Sequence, residues 1–86
     1  MTLTTTDLVR MAALAEGGGM IQKLEYDAEG KLIYQGFAKP TTATSTAKWL
    51  IKKLTYSGFN VTDIQYAEGE VEYNKAWDSR ATYNYK

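Results

Sequence analysis

Residues 49–69 constrain the fold of this chain more than any other stretch, because they contain two strand-like runs on either side of a short polar break. The break is residues 57–60, and it includes one glycine. Ile, Val, Thr and Tyr recur on both sides of it, as is typical of strands. We therefore expect a β-hairpin with a loop of about three to five residues.

Another hairpin is predicted N-terminal to this one, in residues 20–38. Residues 20–26 and 31–38 have strand-like composition, and residues 27–30 supply a turn in which Gly30 is free to adopt a positive φ. In the earlier strand, alternation places Gln22, Leu24 and Tyr26 on one face. Gly36 lies inside the later strand, where glycine indicates a bulge or a close approach by another part of the chain.

Two other segments break this pattern. Residues 39–47 contain the only proline and no long aliphatic residue, so we expect a loop that crosses between the hairpins. Near the end, Tyr73 and Trp77 are four residues apart, which favours one helical turn with Trp77 in the core. The alternation of Ala81, Tyr83 and Tyr85 with polar residues then predicts a final strand.

The central strand contains an irregularity that bears on the core. Trp49 and Ile51 share one face, whereas Leu54 and Tyr56 share the other. A β-bulge at residues 52–53 would turn all four inward, and we favour this interpretation over a strand that is covered on both faces. The predicted core is Trp49, Ile51, Leu54, Tyr56, Ile64, Tyr66 and Trp77.

These elements predict a mainly β fold in residues 20–86, a small antiparallel sandwich or barrel of about five strands built from two hairpins. Residues 1–19 form an N-terminal arm or short helix, since Leu8, Met11, Ala12 and Ala15 have helical spacing and three glycines follow at 17–19. Two interpretations of the arm stay open. It is either a frayed end or a helix laid over a sheet edge, or else a segment that orders only against a neighbouring subunit.

Composition limits how such a domain is stabilised. A chain of 86 residues buries a modest core, and this one has no Cys for disulfides and no His for a metal site. Oligomerisation is the remaining reinforcement, so we expect a homo-oligomer, and we expect no cofactor and no metal. The ten acidic and ten basic residues balance, which makes nucleic acid an improbable partner. No membrane span or signal peptide is indicated, and cytoplasmic synthesis is expected.

No pattern of catalytic residues stands out. The acidic run Glu68, Glu70, Glu72 lacks the spacing of a calcium loop and is typical of a solvated strand face. No His is present to activate a serine. We therefore expect a protein that is not an enzyme. The basic group Lys48, Trp49, Lys52 and Lys53 leaves open a small β-barrel that binds single-stranded nucleic acid. Exposed Tyr or Trp leave open a carbohydrate-binding fibre module.

Two blocks of sequence carry a recognisable pattern. Residues 38–56 contain Thr-Ala-Thr-Ser followed by Trp-Leu-Ile-Lys-Lys-Leu-Thr-Tyr, and residues 74–85 contain Trp-Asp-Ser-Arg-Ala followed by tyrosines. Together with residues 64–69, these blocks resemble small structural proteins of tailed bacteriophages. The resemblance spans residues 34–86 and leaves out the arm.

This resemblance implies a non-enzymatic virion component, assembled in the host cytoplasm, such as a head decoration, neck, tail or fibre-associated subunit. Its partners would be other phage structural proteins and further copies of itself, bound through protein–protein interfaces. The candidate interface residues are Leu8, Met11, Leu14, Tyr83 and Tyr85.

Overall fold

The computed structural model describes residues 19–86, which form one antiparallel sheet and a short C-terminal helix. The strands are β1 (Ile21–Tyr26), β2 (Leu32–Ala38), β3 (Leu50–Ser57) and β4 (Asn60–Tyr66), and they lie side by side in that order. A 3₁₀ helix follows at Trp77–Thr82. The prediction of a mainly β fold built from two antiparallel hairpins is confirmed, with four strands in one sheet. The predicted arm lies outside the described residues, apart from Gly19.

The turn between β1 and β2 is fixed by one carboxylate. Asp27 accepts hydrogen bonds at Oδ1 from the backbone N–H of Glu29, at 2.9 Å, and of Lys31, at 3.0 Å. Gly30 donates its N–H to the Asp27 carbonyl and adopts a φ of 85°. Because a side chain strains this backbone conformation, the glycine is required there, as the sequence predicted.

The turn between β3 and β4 is tighter than expected. Ser57 pairs directly with Asn60, so the loop consists of Gly58 and Phe59 alone. Gly58 has a φ of 61° and Phe59 has no positive φ, which is the pattern of a type II′ turn. The twist of such turns matches the twist of paired strands, which explains why two residues suffice here.

The loop between the hairpins is held by the side chain that follows it. Trp49 is completely buried, and its indole Nε1 donates to the carbonyl of Ala43 at 3.0 Å. The backbone of Trp49 also exchanges two hydrogen bonds with Lys75. Asp78 donates its backbone N–H to the carbonyl of Thr44. The polar loop is therefore attached at two places, although it contributes no large apolar side chain.

The C-terminal segment differs from its prediction. The helical turn begins at Trp77 instead of ending there, and it occupies the positions where the final strand was predicted to begin. Only the last residues pair as a strand would: Tyr85 bridges Ala67, and Lys86 exchanges two backbone hydrogen bonds with Tyr66. Trp77–Thr82 form a 3₁₀ helix instead of a strand because the helix places Trp77 and the residues after it across one face of the sheet.

That packed face holds the core. The buried cluster is Ala38, Trp49, Ile51, Ala67 and Trp77. The two indole rings lie 6.1 Å apart between centroids and are tilted by 40°. Tilted aromatic pairs at this distance contribute about 0.5–1.5 kcal/mol beyond the area that they bury. Three predicted core residues, Trp49, Ile51 and Trp77, are confirmed.

The other four predicted core residues lie elsewhere. Ile64 is 55% exposed, so its assignment to the core was wrong. Leu54, Tyr56 and Tyr66 are half-buried and lie on the opposite face of the sheet. The reason is the position of the bulge. The pairing of β2 with β3 is continuous from Phe37↔Leu50 to Tyr34↔Lys53, so the bulge predicted at residues 52–53 does not exist.

A bulge is present in β4, and the pairing of β1 with β2 has a register shift of its own at residues 25–26. Thr55 pairs with Asp63 and Tyr56 with Val61, which leaves Thr62 as the extra residue. β3 therefore alternates regularly and is lined on both faces. Lys53 tolerates its place on the packed face because its ammonium lies over the rings of Tyr34 and Tyr85, at 6.0 and 5.8 Å from their centroids.

Candidate interaction surface

The face of the sheet opposite the core is called here the open face, because neither the 3₁₀ helix nor any strand of residues 19–86 packs across it. Pairing and alternation assign its members. The apolar ones are Leu24, Tyr26, Leu32, Phe37, Leu50, Leu54, Tyr56, Val61, Ile64 and Tyr66. The polar ones are Gln22, Gln35 and Lys52. The open face is therefore mostly apolar, with Lys52 as the one formal charge at these paired positions.

Its exposed apolar surface is concentrated on the two outer strands. On β1, Leu24 is 45% exposed and Tyr26 is 55% exposed; on β4, Val61 is 47% exposed and Ile64 is 55% exposed. At one end of the face Leu50 is buried. A single exposed aliphatic residue is ordinary, whereas a set of them on one sheet face is typical of a surface that contacts another polypeptide.

The bulge at Thr62 creates part of this surface. Val61 and Ile64 are three residues apart, so regular alternation would place them on opposite faces. The extra residue between them restores both to the open face, opposite Tyr56 and Leu54. The hydroxyl of Thr62 donates to the carbonyl of Thr55 at 3.2 Å. This bond fastens the extra residue to the neighbouring strand.

In the central part of the open face, a lysine side chain lies between two aromatic rings. The Lys52 ammonium lies 5.1 Å from the ring centroid of Phe37 and 5.6 Å from that of Tyr66. Beside it, the amide of Gln35 donates to the side-chain oxygen of Gln22 at 3.0 Å. These side chains contact one another within the chain, and Lys52 is the one formal charge among them.

A second lysine occupies the turn end of the sheet. Lys31 lies 5.6 Å from the ring centroid of Tyr56 and 5.5 Å from that of Phe59, and its ammonium pairs with Glu29 at 3.4 Å. Tyr56 donates its hydroxyl to the carbonyl of Leu32 at 2.7 Å. Phe59 is 78% exposed at the tip of its turn. The aromatic character of the open face therefore extends to this end.

Two predicted interface residues, Tyr83 and Tyr85, pack against the core of their own chain. The Tyr83 hydroxyl accepts from the backbone N–H of Ala76 at 2.9 Å. The Tyr85 hydroxyl donates to the Arg80 carbonyl at 2.7 Å, and its ring lies 5.6 Å from that of Tyr34. Their hydroxyls and rings thus hold the C-terminal segment on the sheet. The other three predicted interface residues, Leu8, Met11 and Leu14, lie outside the described residues.

The residues proposed for a nucleic-acid patch do not share a surface. Trp49 is completely buried and cannot stack on a base. Lys52 lies on the open face, whereas Lys53 lies on the packed face beside Tyr34. Any stacking platform on this sheet would therefore use other aromatic side chains.

The acidic run serves local structure. Glu70 pairs with the buried ammonium of Lys75 at 2.6 Å, and Asn74 also accepts from that ammonium. The carboxylate of Glu68 accepts from the backbone N–H of Asn84 at 3.0 Å. Within residues 19–86, no three acidic, His or Cys side chains are grouped closely enough to hold a metal ion.

A cleft of about 590 Å³ opens beside the start of β1. It is lined by Met20, Lys39, Thr42, Ala47, Lys48 and Tyr73. Met20 stands where residues 1–18 join the described part of the chain.

Comparisons with protein-family models, with curated proteins and with solved structures found no match to this chain. No helix in the described part of the chain is long and apolar enough to cross a membrane. The open face is the feature of residues 19–86 that most needs a functional explanation.

Sequence reasoning found half of this surface. It placed Leu24 and Tyr26 together on one face of β1, as the structure has them. It assigned Ile64 and Tyr66 to the core, because it expected a bulge in β3 that would turn Leu54, the partner of Ile64, inward. The pairing of β2 with β3 shows that this bulge is absent, and such pairing depends on contacts between strands.

Proposed function

We propose that this protein is a non-enzymatic structural subunit of a tailed-bacteriophage virion, and that it acts through a protein–protein interface at the open face of its sheet. The observation that carries the proposal is the half-exposed state of Leu24, Tyr26, Val61 and Ile64 on that one face. The resemblance of residues 34–86 to small phage structural proteins supports the virion as its location.

The open face suits a protein partner for two reasons. Its apolar side chains lie on a rigid, hydrogen-bonded sheet, so binding costs little conformational entropy. Its centre carries aromatic rings, which are enriched at the centres of protein interfaces. Burying apolar surface contributes roughly 25 cal/mol per Å².

The virion assignment is tested by mass spectrometry of particles purified from the phage or prophage that encodes the chain. We expect the protein at a fixed copy number relative to the major head or tail subunit. Its absence from intact particles, together with its presence in the lysate, would overturn the assignment.

The interface is tested by adding charge to the open face. Ile64→Lys should prevent incorporation into particles and reduce self-association in a light-scattering concentration series. Its matched control is Val71→Lys, because Val71 is 66% exposed but lies outside the sheet. If both variants behave alike, the open face is not the interface. Both should fold normally, since changes at exposed positions usually shift stability by about 0.5 kcal/mol or less.

A second candidate function is binding of single-stranded nucleic acid. The observation that favours it is the pair of lysines set among aromatic rings, Lys52 with Phe37 and Tyr66, and Lys31 with Tyr56 and Phe59. The zero net charge weighs against it. Binding of a labelled oligonucleotide that weakens steeply with salt and is lost in Lys52→Ala would favour this candidate over the structural one.

A further inference from the structure

Lys52 is the one charged side chain at the paired positions of the open face, and its surroundings there are mostly apolar. Its ammonium lies 5.1 Å from the ring centroid of Phe37 and 5.6 Å from that of Tyr66. The half-buried side chain forms no ion pair within the described part of the chain. Lys31, at the turn end of the sheet, differs because its ammonium pairs with Glu29. In this part of the chain, the charge of Lys52 therefore faces only aromatic rings and solvent.

Covering the open face changes the environment of this ammonium. A partner that buries the apolar side chains also removes the water around Lys52. A buried ammonium loses more hydration energy than two aromatic rings return, so it needs an opposite charge and hydrogen-bond acceptors. The apolar side chains need only a surface of complementary shape. Lys52 therefore sets the chemical requirement that distinguishes one partner from another.

The open face of a second copy does not meet this requirement. Its paired positions hold no acidic side chain. Alternation places Glu25 and Asp63, the acidic residues of the two outer strands, on the packed face, where Glu25 pairs with Arg80. Two copies stacked open face to open face would bury both Lys52 ammoniums without a carboxylate. The negative charge must come from a different surface.

We propose that the open face binds an apolar segment of another subunit that carries a carboxylate, and that this carboxylate pairs with Lys52. The half-exposed side chains of Leu24, Val61 and Ile64 contact the apolar part of the segment. Such aliphatic side chains favour a protein segment over nucleic acid, whose bases stack on aromatic rings. This inference rests on the proposed function in that both use the open face, and it adds the chemistry of the partner.

Three synthetic peptides test the charge requirement. Each has about nine residues, long enough to cross the sheet when extended. They share the same apolar side chains and differ only at the central position, which is Glu, Gln or Lys. The full chain is titrated with each peptide, and its amide NMR signals report both affinity and location. We expect the Glu peptide to bind about tenfold more tightly than the Lys peptide and to shift the signals of the open-face residues.

The matched variants are Lys52→Gln and Lys53→Gln, because these neighbouring lysines lie on opposite faces of the sheet. Lys52→Gln should abolish the preference for the Glu peptide, whereas Lys53→Gln and Lys52→Arg should retain it. The NMR spectrum of each variant shows that it is folded. The inference is overturned if the Glu peptide binds the wild type no more tightly than the Lys peptide does, or if its advantage survives in Lys52→Gln. Oligothymidylate that binds the open face more tightly than the Glu peptide also overturns it, in favour of nucleic acid.

A second measurement tests for face-to-face pairing of two copies. Light scattering compares the wild type, Lys52→Glu and an equal mixture of the two at the same total concentration. We expect the mass of the mixture to be no higher than the average of the separate samples. If two copies pair face to face, the mixture joins opposite charges at position 52 and its mass rises above that average, which contradicts the proposal. Neither measurement uses phage particles, so the virion assignment stands or fails by its own test.

Discussion

The indole ring of Trp77 lies directly on the backbone of Gly36. A Cβ atom at Gly36 would stand 2.6 Å from Cε3 of Trp77 and 3.2 Å from Cε3 of Trp49. Real Cβ atoms do not approach other atoms to 2.6 Å. The glycine that the sequence marked as a site of bulge or close approach is therefore a site of close approach, and it permits the C-terminal segment to cover the core.

Because of this contact, we expect Gly36→Ala to destabilise the domain. We expect a loss of about 1–3 kcal/mol in the free energy of unfolding, because the added carbon displaces Trp77 from the sheet. Urea denaturation measures the loss. The matched control combines Gly36→Ala with Trp77→Leu: the second change should be less costly in this background than alone. Strict additivity would contradict the contact.

Arg80 holds the 3₁₀ helix through three contacts, and we expect the one with the Trp77 ring to contribute most. Its guanidinium lies 4.6 Å from the Trp77 ring centroid, donates to the Trp77 carbonyl at 3.1 Å, and pairs with Glu25 at 2.7 Å. Arg80→Lys keeps the charge but loses the planar stacking, so we expect it to cost about 1 kcal/mol. Glu25→Gln should cost about 0.5 kcal/mol or less, since both side chains are partly exposed. Equal costs in thermal denaturation would show that the ion pair dominates.

Asp27 should make the first hairpin sensitive to acid. The backbone N–H of Lys31, aided by that of Glu29, lowers the pKa of the Asp27 carboxyl below its ordinary value of 3.8. A group with a lowered folded-state pKa stabilises the fold above its unfolded pKa, and that stability is lost as pH falls from 3.8 through the folded value. Asp27→Asn keeps an acceptor oxygen but should remove this part of the acid dependence. Asp27→Ala should lower the free energy of unfolding at neutral pH, because the backbone N–H groups of Glu29 and Lys31 lose their acceptor.

Denaturation of the wild type and both variants, measured at neutral pH and at several values below pH 4, checks this prediction. If Asp27→Asn shows the same acid loss as the wild type, the sensitivity arises at another carboxylate.

Tyr85 should make the domain sensitive to alkali. Burial raises the pKa of the Tyr85 hydroxyl well above its ordinary value of 10.0, and the neighbouring Tyr34 and Tyr83 raise it further. A raised folded-state pKa means that the stability is complete below pH 10 and is lost as pH rises beyond it, since the unfolded chain ionises first. Tyr85→Phe should lower the free energy of unfolding by about 1 kcal/mol at neutral pH, because it removes the hydrogen bond from the Tyr85 hydroxyl to the Arg80 carbonyl.

The alkaline unfolding curve followed by circular dichroism checks this second pH dependence. Between neutral and alkaline pH, Tyr85→Phe should lose less of its free energy of unfolding than the wild type does. Tyr26→Phe is the control, because Tyr26 is 55% exposed and its replacement should leave the curve in place. A shift of equal size in both variants would contradict the assignment to Tyr85.

The sequence by itself determined the local parts of this protein. Asp27 and Gly30 specify one turn and Gly58 another, because turn chemistry depends on a few adjacent residues. Alternation fixed the faces of β1 and the strand character of all four strands. The sequence also predicted Trp49, Ile51 and Trp77 in the core, since large apolar side chains in a small β domain are usually buried.

Only the tertiary structure showed that β3 has no bulge and therefore which side chains line the open face. The apolar spacing along β3 favoured a bulge, but the pairing of Gly36 with Ile51 and of Tyr34 with Lys53 shows a regular strand that is lined on both faces. The conformation of the C-terminal segment was likewise decided by a contact between residues far apart in sequence. Alternation favours a strand there, but Trp77 reaches Gly36 through a 3₁₀ helix, and burial of its indole outweighs one further strand pairing.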